Sequence, residues 1–228
     1  MVVFGFYGLS VIMVLAFWVV VQKSSADEAS KVWFYKKYIL WFTVWISYLL
    51  LISSLGFLNS FALPPRIPLM VVLPSIVAMI LVLRSKHFQH VIGSIPAHVI
   101  LYLQSFRILV ELLIYGAFLN GVFPKAVTFE GTNFDILVGI SALLIGFLSS
   151  KNSIKPTVAL TWNIISIAIL GVTVATFIYT YYFSGVQLPF ASEFASMPYL
   201  LLPGVLLPFA IFLHAISIKQ NITSMNHQ

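Results

Sequence analysis

The sequence predicts an all-α polytopic membrane protein, one domain over residues 1–228 built as a bundle of seven transmembrane helices. Three observations carry that prediction. Hydrophobic residues make up 61% of the chain and charged residues only 8%, against about 25% charged in an ordinary soluble domain. Apolar runs long enough to cross a bilayer recur along the chain, and no polar stretch between them is long enough to fold alone. The Lys and Arg residues, finally, collect in alternate connections.

The first span is Val2 to about Val21, and no Lys or Arg precedes it, which argues against the basic start of a cleaved signal peptide. Gln22 to Lys37 holds Lys23, Asp27, Glu28, Lys31, Lys36 and Lys37 and reads as an aqueous connection. The second span, about Tyr38 to Leu58, has Trp41 and Trp45 near its start, where aromatic residues sit at headgroup depth. Pro64-Pro65-Arg66-Ile67-Pro68 breaks the chain. A short third span from Pro68 to Leu83 contains Pro74, which predicts a kink or tilt, and ends at Arg84 and Lys86. After His87–His90, Ser94-Ile-Pro96 sets a hydroxyl at an N-cap and proline in the first turn, opening a fourth span to about Asn120. The fifth, Phe134 to Leu148, follows Thr132-Asn-Phe-Asp135, a capping-box pattern. The sixth runs from Lys155-Pro156 to Phe183 and the seventh from Pro198 to Ile218; no internal repeat is evident.

Seven spans place the two termini on opposite sides. One side then holds Lys23, Lys31, Lys36, Lys37, Arg84, Lys86, Lys151, Lys155 and Lys219, and the other holds Arg66 and Lys125. Cytoplasmic loops carry the excess, so the amino terminus is expected outside and the carboxyl terminus in the cytoplasm. The formal charge of +6 is spread through short connections, which fits lipid headgroups and not nucleic acid. The absence of cysteine removes disulfides, thiolate metal sites and cysteine nucleophiles.

Within the fourth span, Gln104, Arg107 and Glu111 fall inside roughly 60° of one another at helical spacing, so they are expected on one face, turned into protein. Asp135 opens the fifth span beside the polar outer loop, predicting a funnel from Glu130, Asn133 and Asp135 down to Glu111, Arg107 and Gln104. Two readings stand for Arg107 and Glu111: a binding site, or a closed ion pair that fixes helix packing. For Asp135 the alternative is a helix cap. Nearer the cytoplasm, His98, Asn163 and His214 share a depth. Two histidines at similar depth could ligate a metal or haem, yet no metal-motif spacing accompanies them, and no cofactor is expected. Pro203 and Pro208 on the seventh span free backbone carbonyls inside the bilayer, either to line and gate a cavity or to kink the helix. Tyr179, Tyr181, Tyr182 and Phe183 read as an interface belt.

Thr128-Phe-Glu-Gly-Thr-Asn-Phe-Asp-Ile-Leu137, Gln104-x-x-Arg107-x-x-x-Glu111 and Leu202-Pro-Gly-Val-Leu-Leu-Pro208 with His214 together resemble a group of small bacterial integral membrane proteins without an assigned activity. That resemblance covers about the second half of the chain and implies the bacterial cytoplasmic (inner) membrane. A comparison with microbial rhodopsins fails, because a retinal Schiff base needs a mid-membrane lysine and only Lys219, at the cytoplasmic end, is near the seventh span. The expected function is binding or transport of a small polar or anionic solute, with Arg107 capturing it and Glu111 and Gln104 orienting it. A non-catalytic scaffold or sensor, either a homo-oligomer or bound to another membrane protein, is the second reading. A membrane-embedded enzyme using Glu111 or Asp135 as acid or base is the third.

Overall fold

The structure, a computed structural model, describes residues 2–185 and 189–226. It is helical throughout, without strands among the described residues: α1 (Val2–Gln22), α2 (Glu28–Ser54), α3 (Leu73–Arg84), α4 (Lys86–Gly93), α5 (Ala97–Leu103), α6 (Phe106–Leu119), α7 (Asp135–Ser150), α8 (Pro156–Tyr182) and α9 (Leu207–Met225). Five helical stretches are long and apolar enough to cross a membrane, with α5 and α6 forming one of them. A sixth is added if α3 and α4, bent by 79° at Ser85, count as one. The surface is a belt of exposed Leu, Ile, Val and Phe, while the interior holds buried charge and amide groups. That inversion of the soluble pattern suits a helical membrane bundle, where lipid solvates apolar side chains and polar groups must be satisfied inside.

The span containing α9 is the most buried, and the one containing α2 the least. α9 packs against α8, α5, α4 and α3, so it forms the axis of the bundle. Asp27 starts α2 as its N-cap, accepting from the Ser30 N–H at 2.8 Å, and this bond holds its carboxyl below the ordinary aspartate range. The polar stretch His87–His90 lies within a helix, α4. Its spacing buries Phe88, Val91 and Ile92 on one side while Lys86, Gln89 and His90 stay exposed. Of the expected aromatic belt, Tyr179 and Phe183 are exposed. Tyr181 turns inward and donates to the Val122 carbonyl at 2.6 Å, and the Tyr182 hydroxyl accepts from the Ile67 N–H at 3.2 Å.

Two helix breaks match each other. A π-helical turn, Pro68–Val72, leads into α3 at Leu73-Pro74, and a second, Leu202–Leu206, leads into α9 at Leu207-Pro208. Pro74 and Pro208 lack the N–H that would bond the carbonyls of Met70 and Gly204, so both carbonyls are orphaned inside the bundle. Two aromatic residues one turn apart on α2 serve them. Tyr48 Oη donates to Met70 O at 2.9 Å, and Trp45 Nε1 donates to Gly204 O at 2.7 Å. The two π turns also touch one another, and a Cβ on Gly204 would lie 2.7 Å from Leu49 Cδ1. The pattern escaped the sequence because the repeated unit is a backbone defect, not a run of identical residues.

A sharp expectation follows for these caps. Tyr48→Phe removes only the hydroxyl and should cost about 1 kcal/mol in reversible unfolding from micelles, the usual size for one bond inside a membrane bundle. In a Pro74→Ala background the helix supplies its own N–H to Met70 O, and the same substitution should then cost close to nothing. An equal cost in both backgrounds would separate Tyr48 from the break.

Candidate functional site

Arg107 and Glu111 lie one turn apart on α6, but they do not pair with each other. Arg107 reaches across to the first residue of α7: Nε donates to Asp135 Oδ2 at 2.7 Å, and Nη2 donates to Asp135 Oδ1. This fork-to-fork contact is the geometry in which guanidinium and carboxylate best offset the cost of leaving water. Both are almost fully buried. The third nitrogen, Nη1, lies 2.8 Å from His214 Nε2 on α9. A guanidinium can only donate, so Nε2 must accept and the ring proton sits on Nδ1, which donates to Asn163 Oδ1 on α8 at 2.8 Å. His214 is therefore held as a neutral ring.

From there the polar line continues along α9. Asn163 Nδ2 donates to Ser217 Oγ at 2.9 Å and to Ala159 O at 2.7 Å, and Asn221 Nδ2 donates to Ser217 O at 2.7 Å. His214, Ser217 and Asn221 recur at helical spacing on one face and carry the line about 10 Å along the axis at 1.5 Å per residue. Asn163 and His214 meet as their shared depth suggested. His98 takes no part, being half-buried with its ring edge-on to Tyr102. Both ring nitrogens of His214 are engaged within the protein, Nε2 by Arg107 and Nδ1 by Asn163. No cluster of three His, Asp or Glu side chains with metal-site geometry occurs among the described residues.

On the other side, Asn133 ties the loop between α6 and α7 to the charges. Its Nδ2 donates to Glu111 Oε2 at 2.6 Å and to Val127 O at 2.9 Å. Its Oδ1 accepts from the Asp135 N–H at 2.9 Å and from the Thr173 hydroxyl at 2.8 Å. Asn133 thus takes up the first amide of α7 from two residues upstream, the N-cap position being Phe134, and the expected capping box does not form. Thr132 donates to Ala126 O at 3.0 Å, and the Asp135 carboxylate belongs to Arg107. Glu130 stays exposed, with Lys125 at 3.4 Å and the Tyr115 hydroxyl at 2.9 Å. Asn133, Asp135, Glu111 and Arg107 therefore come together as a polar line below the loop.

Gln104 does not join them. The chain tightens at Gln104-Ser105, where Gln104, Ser105, Arg107 and Ile108 N–H groups all bond three residues back, so the 100° register linking Gln104 to Arg107 is lost. Both side-chain amide atoms of Gln104 are buried without a hydrogen-bond partner among the described residues. Such an orphaned amide costs about 1–3 kcal/mol.

A cavity of about 120 Å³ abuts the charges, between α6, α8 and the two π turns. Arg107, Glu111, Asp135 and Thr173 line one side of it, and apolar side chains such as Phe106, Val110 and Leu206 line the rest. Half-exposed Pro68, Val72, Val174 and Ile178 also belong to its wall, so it approaches the bundle surface between α8 and the first π turn. Pro203 lines the cavity; Pro208 does not, and the carbonyl it frees is held by Trp45. Thr173, Ser217 and the glycine at 139 were not singled out in the sequence, although the recurrence of Asn163, Ser166 and Thr173 at helical spacing on α8 is a readable signal.

No family model matches the chain, and no curated protein or solved structure is significantly similar to it.

Proposed function

We propose that the chain is a seven-span protein of the bacterial cytoplasmic membrane, amino terminus outside and carboxyl terminus in the cytoplasm, that binds and passes a small ligand through the cavity beside Arg107 and Glu111. The span count is supported by adding the apolar helix α7 to the five long stretches and the bent α3–α4 pair. The orientation is supported by nine basic residues falling on one side of such a bundle and two on the other. The same reading groups the chain with the small bacterial membrane proteins that its second half resembles. The observation that carries the binding role is the cavity itself: ionisable residues at membrane depth usually mark a ligand or ion path, and here they adjoin open space.

The experiment uses the absence of native cysteine. Val110→Cys on the cavity wall should react in vesicles with a small lipid-soluble maleimide, and slowly with a membrane-impermeant one. An unreactive Val110→Cys, beside a reactive control at exposed Leu109, would mean a sealed core. The scaffold reading is favoured by a different observation, the engagement of both Asp135 oxygens by Arg107 and of both His214 nitrogens by Arg107 and Asn163. It predicts that sealed outcome.

A further inference from the structure

We propose that the ligand is an organic cation: a small apolar body carrying an ammonium group, with Glu111 as its counter-ion. This rests on the reading of the cavity as a ligand site. Arg107 brings one positive charge to the cluster and Asp135 balances it, so Glu111 has no counter-ion of its own: it holds a proton, or, once ionised, leaves the cluster one positive charge short. Asp135 takes both ends of the guanidinium fork, and no Arg107 nitrogen lies within ion-pair distance of Glu111. Every other side chain bonded to these three is neutral: Asn133, and His214 with its proton on Nδ1. The nearest loop cation in sequence, Lys125, is itself engaged by Glu130.

Glu111 is 1% exposed, lines the cavity, and accepts a hydrogen bond only on Oε2; Oε1 has no partner among the described residues. Thr173 donates its hydroxyl proton to Asn133, which leaves its oxygen as a second acceptor on the same wall. The groups left over are thus the Glu111 carboxyl, which has no counter-ion, and a hydroxyl oxygen that can accept. An ammonium satisfies them, whereas an anion would meet like charge in a medium of low dielectric. The remaining wall is apolar, and its volume of about 120 Å³ is close to that of an engineered cavity of about 150 Å³ that takes benzene. A body of about six carbons is the size that fits by that comparison.

The test compares three probes of one chain length, n-hexylammonium, n-hexanol and n-hexanoate, by calorimetric titration at pH 7 into the protein in nanodiscs. Binding is counted as the difference from a Val110→Trp variant that fills the cavity, which removes partitioning into lipid. Hexylammonium should bind at least about tenfold more tightly than hexanol, the scale of a hydrogen bond to a charged group, and hexanoate should bind weakest. In Glu111→Gln, which keeps the shape and the Asn133 contact, the preference over hexanol should vanish while hexanol binding persists. Hexanol binding as tightly as hexylammonium, or hexanoate binding best, overturns the cation assignment and leaves the cavity reading standing. If none of the three binds above the Val110→Trp reference, the cavity reading itself fails. The wild-type comparison requires no variant at Glu111, so a misfolded Glu111→Gln would not blunt it.

Discussion

Arg107→Leu is expected to destabilise the bundle by about 3–5 kcal/mol, the largest effect of any single substitution at the site. The size comes from what is left behind. Asp135 is 4% exposed, and its two oxygens are both taken by the guanidinium, so truncation strands a carboxylate inside the bundle, and His214 Nε2 loses its donor as well. Arg107→Lys should fall between wild type and Leu, because an ammonium supplies charge but not the planar fork that meets both carboxylate oxygens. The double variant Arg107→Leu/Asp135→Leu removes both charges and should recover most of the loss. Reversible unfolding in micelles measures each of these and Asp135→Leu as well, and the cycle of wild type, Arg107→Leu, Asp135→Leu and the double variant should give a coupling of several kcal/mol. Small, additive single effects would mean that the two side chains do not hold each other. Because Glu111 is untouched, hexylammonium should still bind the double variant, which separates the brace formed by Arg107 from the counter-ion role of Glu111.

The outline of this arrangement was legible in the residues, and its partnerships were not. An Arg in an apolar run has to find a partner inside the protein, which marked Arg107 at once, and the long apolar runs marked the helices. The ion pair that the sequence offered was with Glu111, one turn away on the same helix, as one of two readings. The preference for Asp135 is decided by where α7 crosses α6, a tertiary fact that periodicity does not contain. Gln104 was misplaced for a local reason: a helical wheel assumes 100° per residue, and the tightened turn at Gln104-Ser105 resets the count. Trp45 looked like an interfacial aromatic because a hydrogen bond to an orphaned carbonyl leaves no trace in composition.

Gly139→Ala is expected to cost about 1–3 kcal/mol, large for the addition of one methyl group, because there is no room for it. Gly139 lies one turn after Asp135 on α7, and a Cβ there would stand 2.8 Å from the Ile108 backbone nitrogen and 2.8 Å from Ile108 Cγ1. A side chain could swing aside, but the α6 backbone cannot, so the two helices must part at the level where Arg107 meets Asp135. Helix pairs in membranes approach this closely only over small residues, and here the closeness is what brings a guanidinium and a carboxylate on separate helices within bonding distance. Part of the alanine cost is therefore electrostatic and should shrink when the charges are gone. In Arg107→Leu/Asp135→Leu the same Gly139→Ala substitution should lose only its steric share, and the difference between the two backgrounds measures how far the glycine acts by positioning the pair. An undiminished cost would make Gly139 a packing residue alone, and the brace would then need another account of how α6 and α7 are held in register.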